Sequence, residues 1–175
     1  AHMFIFYYAV LSEVSPPTAL SPFAAAAITG GDPYKTTLQS WKYTMPAFMV
    51  PFVFVCDPQG IGLLLKVPKG GNWIDIIEIT LETAAGIAIL ACAMQGRMLK
   101  RNNWVEAVLL TLAGLCLVFP ILVGAITSPL TGFDIGAFIP ALSSVGVRIG
   151  YNVVAGIVLF AVAWMMQRAR TEAAA

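Results

Sequence analysis

Charge is what this chain has least of: of its 175 residues only 11% are Asp, Glu, Lys or Arg. Soluble domains carry roughly 25%. With 59% hydrophobic residues and a mean hydropathy of +0.83, the expected solvent is lipid. Ten basic and nine acidic side chains leave a formal net charge of +1. That excludes the broad basic field by which proteins hold a phosphate backbone, so nucleic acid is not an expected partner. Three cysteines, Cys56, Cys92 and Cys116, show no Cys-x-x-Cys spacing and stand beside no His cluster. They are expected to be free thiols packed as small apolar groups. A phosphate-binding Gly-rich loop ending in Gly-Lys-Ser/Thr is absent, which disfavours ATP drive within this segment. No metal cluster, nucleophile elbow or His-based pair suggests an enzyme. The lone His2 is terminal and is assigned no role.

What is there is a series of apolar stretches near the length of about 20 residues that a bilayer crossing needs. The expected class is an all-α, polytopic membrane bundle of five segments. The first runs from Met3 to Thr29 and is interrupted by Ser12-Glu13-Val14-Ser15-Pro16-Pro17-Thr18. Two adjacent prolines remove two backbone donors and push Ser15 out of the α region, so two half-helices are expected. Asp32-Pro33 reads as an N-cap followed by Pro in the first turn, opening a short interfacial helix over 34–40. A second segment spans about Trp41 to Val55, interrupted by Pro46 and Pro51. Gln59 to Asn72 reads as a loop. Further helices are expected over Trp73–Met94, Trp104–Ile126 and Ile149–Met166, with Thr127 to Val147 too rich in Gly, Ser and Pro for a definite span. The domain division is 1–58, a loop over 59–72, and a three-helix region over 73–175.

Seven of the ten basic residues, Lys35, Lys42, Arg97, Lys100, Arg101, Arg168 and Arg170, fall on alternate connections and the tail, against Lys66, Lys69 and Arg148 on the others. The positive-inside rule puts those seven, and the C-terminus, in the cytoplasm. Trp41, Trp73, Trp104 and Tyr151 sit near the expected interfaces as belt residues.

Non-helical backbone survives in hydrocarbon only where it is buried in protein or lines a watery cavity. The break at Ser15-Pro16-Pro17 is therefore the leading site candidate. Such breaks offer carbonyl oxygens to a cation and N–H groups to an anion. The hydroxyls of Ser12, Ser15 and Thr18 suit a hard cation. The alternative is a proline kink satisfied by neighbouring helices. Glu13, beside the break, is open to two readings, a structural ion pair or a coupling group. Asp75, Glu78 and Glu82 share one face of the third helix. That face is either an acidic vestibule or, as favoured here, a packing face; Glu78 and Glu82 are secondary site candidates.

The run from His2-Met3-Phe4-Ile5-Phe6-Tyr7-Tyr8 through Leu11-Ser12-Glu13-Val14-Ser15-Pro16-Pro17-Thr18-Ala19-Leu20 resembles the large membrane subunit of TRAP transporters, the tripartite ATP-independent periplasmic family. The fused permease type that works with TAXI solute-binding proteins looks most similar. The likeness continues through Ala24-Ala25-Ala26, Gly31-Asp32-Pro33, Lys35-Thr36 and Pro51-Phe52-Val53-Phe54-Val55, and covers about a third of the chain. Where other members carry Thr-Pro-Pro-Val, this chain has Ser15-Pro16-Pro17-Thr18.

The resemblance implies an inverted-repeat, elevator-type secondary transporter of the bacterial or archaeal cytoplasmic membrane. It implies Na⁺ as coupling ion at the break, with Ser15 and Thr18 as candidate Na⁺ ligands, and import of an organic carboxylate. The partners it implies are a periplasmic TAXI-type binding protein and a preceding N-terminal part of the permease, whose re-entrant hairpin would complete the Na⁺ site. The competing expectation is a non-transporting membrane scaffold in which acids and kinks pack helices.

Overall fold

The structure, a computed structural model, describes residues 2–56, 60–67, 72–98, 100–119, 123 and 150–172. Proline and glycine punctuate it. Helix α1 (His2–Leu11) tightens into a 3₁₀ turn at Ser12–Val14, and α2 (Leu20–Thr29) begins only after the two prolines. The second half-helix thus starts two residues beyond Thr18. Gly30, at φ 71°, closes α2 in the left-handed conformation that glycine adopts without a Cβ penalty.

Asp32 then caps α3 (Pro33–Thr44), its Oδ1 accepting the N–H groups of Tyr34 and Lys35 at 2.9 and 3.3 Å. The cap and the first-turn proline are as the sequence indicates, but the helix runs to Thr44 and takes in Trp41, so Trp41 does not begin a new segment. Pro46 lacks the N–H that an α-helix would use, and the chain passes through a 3₁₀ turn at Met45–Met49 into α4 (Val50–Cys56). The stretch expected as a plain loop holds another 3₁₀ turn, Gly60–Leu64, whose Gly60 and Gly62 are buried.

Three longer helices follow: α5 (Trp73–Gln95), α6 (Trp104–Val118) and α7 (Tyr151–Glu172). The third helix is one residue longer than expected. Helix α6 ends at Val118, eight residues before its expected end; beyond Phe119 only Val123 of that expected span is described, and the region 127–147 lies outside the described residues. Helix α7 continues six residues past Met166, so Gln167, Arg168 and Arg170 stand on the helix and not on a tail. No strand occurs among the described residues; an isolated β-bridge joins Arg97 to Arg101.

At 23 residues α5 is about 34 Å long, enough for a hydrocarbon core of about 30 Å. Among the described residues two helices, α5 and the Val153–Thr171 part of α7, are long and apolar enough to cross a bilayer. Only 33% and 17% of their most apolar windows are buried inside the protein, so these apolar faces mostly point outward, unlike those of a soluble core helix.

The core lies where α5, α6 and α7 meet. Ile89, Ala93, Leu110, Ala113, Leu117 and Ala163 form one cluster, and Val53, Leu90, Val118 and Phe119 form a second that joins α4 to it. Small residues set the spacing. A Cβ placed on Gly86 would lie 2.6 Å from Val118 Cγ2 and 3.1 Å from the Val118 backbone nitrogen; one on Gly114 would meet Leu90 Cγ at 2.5 Å and Gly86 O at 3.0 Å. At the other seam, α1 lies on α4 through Phe4, Tyr8 and Phe52, and the Tyr8 hydroxyl donates to Phe48 O at 2.8 Å. Of the cysteines, all free, Cys92 and Cys116 are partly buried while Cys56 is exposed, because it ends α4 at the surface.

The close approach of α5 and α6 predicts that Gly86→Ala, which must push the two helices apart, destabilises the fold by about 1–3 kcal/mol. A denaturant titration of the purified protein checks this; an unchanged midpoint would contradict the packing described.

Candidate functional site

At the break, Ser15 is extended (φ −108°, ψ 142°), as a residue before proline must be. Pro16 and Pro17 are joined by a cis peptide bond, and both are exposed. Ala19, nearly fully buried, takes up a left-handed conformation at φ 38°, ψ 39°, unusual for a residue with a Cβ, and turns the chain into α2. Its N–H donates to Ser15 O at 3.0 Å.

The Thr18 hydroxyl closes the turn from within. It donates to Ser12 O at 2.6 Å and lies 3.2 Å from Ser15 O. Three hard oxygens, two carbonyl and one hydroxyl, are therefore drawn together around one proton. The Ser12 hydroxyl is turned away and donates to Ala9 O at 2.7 Å. Glu13 and Thr18 are exposed; Ser15 is half-buried. Of the residues singled out at the break, the structure thus gathers Ser12, Ser15 and Thr18 around one point, the first two through backbone and not side-chain oxygens. The Ser12 hydroxyl is not part of that cluster.

The secondary candidates lie elsewhere. Glu78 and Glu82 line a largely apolar cavity of about 560 Å³ between α5, α6 and α7, with Leu81, Leu117, Ile157 and Phe160 among its walls. The break packs against α2 and α3, so these acids do not join it. Asp75, on the same face, is buried and accepts the Asn72 N–H at 2.8 Å, capping its own helix. Among the described residues no group of three or more His, Cys, Asp or Glu could hold a metal.

Sequence reasoning missed the most buried acid. Glu106 is 0% exposed at the start of α6. Its Oε2 accepts the Asn103 N–H at 2.8 Å, completing the α6 cap, and a Gln167 amide N–H at 3.3 Å. Its Oε1 accepts Arg170 Nη1 at 2.7 Å. Gln167 also donates to Asn102 Oδ1 at 2.7 Å, and the Asn102 amide donates to Cys92 O at 3.0 Å. One carboxylate so ties the end of α5, the start of α6 and the last turns of α7. The Asn103-x-x-Glu106 spacing was the available signal, since Asn followed three residues later by Glu marks a helix start; the partners 61 and 64 residues away were not readable from it.

No family model matches the chain, and comparison with curated proteins and with solved structures found no significant match.

A buried carboxylate stripped of its cation costs several kcal/mol. Arg170→Ala is expected to destabilise the protein by about 3 kcal/mol. Glu106→Gln/Arg170→Ala is expected to be more stable than Arg170→Ala alone, because a neutral amide oxygen can still accept from Asn103 and Gln167 without carrying a charge. Thermal midpoints of the wild type, both single variants and the double variant decide this; additive losses would contradict the coupling.

Proposed function

We propose that this chain is part of an ion-coupled secondary transporter of the TRAP type, in which the helix break between α1 and α2 binds the coupling cation. The observation that carries the reading is the convergence of Ser12 O, Ser15 O and the Thr18 hydroxyl at the break. Oxygen clusters of this kind suit a hard cation such as Na⁺. Rotation of one threonine hydroxyl turns its lone pairs, instead of its proton, toward the space the two carbonyls share. The outward apolar faces of α5 and α7 support a bilayer setting, and the sequence likeness over 2–55 supports the family.

On this reading the protein lies in a bacterial or archaeal cytoplasmic membrane as a polytopic elevator-type permease with its C-terminus inside. A periplasmic TAXI-type protein delivers an organic carboxylate, and a preceding re-entrant hairpin supplies the rest of the Na⁺ site. The start of α2 presents the positive end of a helix, which favours an anion nearby. Glu13, exposed beside the cluster, is the group that could face the cation or a substrate-bearing domain.

A second reading, a non-transporting scaffold, draws on the same hydrogen bonds, since a kink that satisfies its own carbonyls through Thr18 needs no ion. Substrate uptake by the full-length permease in proteoliposomes, with its binding protein and an inward Na⁺ gradient, separates the two. The transporter reading expects gradient-driven uptake that Thr18→Val lowers at least tenfold, the scale of about 1.4 kcal/mol lost with one oxygen ligand. Ser15→Ala should change it less, because Ser15 contributes a backbone carbonyl. Na⁺-driven uptake untouched by Thr18→Val would move the cation elsewhere, and absence of uptake under any gradient would favour the scaffold.

A further inference from the structure

The connection between α5 and α6 is built to hold three cations in a small space. Gly96, at φ 69°, turns the chain out of α5, and its carbonyl accepts the Asn102 N–H at 2.9 Å. The Met98 N–H donates to Lys100 O at 3.2 Å, and a β-bridge sets Arg97 opposite Arg101. Like charges directly across a bridge repel, so the fold holds this pair together at a cost. Both arginines are exposed and Lys100 is half-exposed. The acid at the start of α6, Glu106, is turned inward and engaged by Arg170. No ion pair to Arg97, Lys100 or Arg101 occurs among the described residues.

Their depth is set by the same network. The Gln167–Asn102 hydrogen bond of 2.7 Å brings this turn beside the end of α7, where the Arg168 guanidinium lies 5.4 Å from the centre of the Trp164 ring. Trp104, 79% exposed, begins α6 at the same end. Two tryptophans at one end of helices with outward apolar faces mark headgroup depth. The cations therefore stand where lipid phosphates would be.

We propose that Arg97 and Arg101, with Lys100 between them, seat the phosphate of an anionic phospholipid. The bound phosphate offsets the repulsion that the bridge imposes, and guanidinium groups suit its oxygens by charge and by paired donors. The proposal rests on the bilayer setting alone and is independent of Na⁺ coupling.

The test titrates the intact purified chain in detergent with short-chain phosphatidylglycerol, short-chain phosphatidylcholine or inorganic phosphate, reading affinity and thermal midpoint. The wild type should bind phosphatidylglycerol and be stabilised by it. Arg97→Gln/Arg101→Gln should weaken that binding by about 30-fold, at ~1 kcal/mol per basic residue. Arg97→Lys/Arg101→Lys should keep most of it, and Lys66→Gln, before the opposite end of α5, all of it. Equal affinity for the two lipids, an equal response to inorganic phosphate, or indifference to the double Gln variant would overturn the proposal. Release of the protein from membranes by alkaline carbonate would remove the bilayer setting itself, whereas loss of lipid preference in a protein that stays embedded would remove only this site.

Discussion

A backbone N–H or C=O placed in hydrocarbon has no water to turn to, and each one left unmatched costs several kcal/mol. That constraint explains more of this structure than any single contact. Regular helix satisfies most of the chain. Where hydroxyl side chains occur on helices they bond back to the carbonyl four residues earlier, as Thr29 does to Ala25, Thr37 to Pro33, Thr80 to Ile76 and Thr111 to Ala107. Such bonds remove a polar group from an apolar face at little expense to the helix. Helix starts are closed with equal economy: Asp32, Asp75 and Glu106 each accept the N–H groups that the first turn leaves over.

Two places depart from regular helix, and the same constraint shapes both differently. Between α5, α6 and α7 a fully buried Glu106 is matched by Asn103, Gln167 and Arg170, and farther along the seam Gly86 and Gly114 let α5 and α6 approach closely. Between α1 and α2 the carbonyls of Ser12 and Ser15 each accept one backbone N–H, from Ser15 and Ala19, and share a neighbouring hydroxyl, at an exposed threonine whose rotation frees their second lone pairs. The first arrangement holds helices together; the second hangs on an exposed side chain, and this difference is why the cation is proposed at the break and not at the buried acid.

Local signals survived from sequence to structure. The Ser-Pro-Pro break, the Asp32-Pro33 start, the ends of α5 and the start of α6 all follow from residues within a turn of the feature, and each is where proline, an acid or glycine puts it. What failed was long range or depended on packing. Helix α7 runs on to Glu172 with Gln167 and Arg170 inside it, where they meet Glu106; nothing in the periodicity of 149–166 announces partners more than 60 residues away. Gly60 and Gly62 read as loop residues because glycine favours loops, yet both are buried, Gly62 within reach of Ile76 and Ile79 on α5. At the break the residues were legible but their roles were not. Carbonyl and hydroxyl oxygens were both expected there; that Ser12 and Ser15 bring their carbonyls together while Thr18 brings its hydroxyl carries no mark in a sequence.

The central claim is that the turn between α1 and α2 gives up the internal hydrogen bonds of the Thr18 hydroxyl to bind Na⁺. Hydrogen exchange of the full-length permease, followed at the amides of Ser15, Thr18 and Ala19 in Na⁺ and in K⁺ at equal ionic strength, tests it most directly. The account predicts slower exchange at these three amides in Na⁺ alone, lost in Thr18→Val. Identical exchange in both salts would contradict it and leave the break a self-satisfied kink.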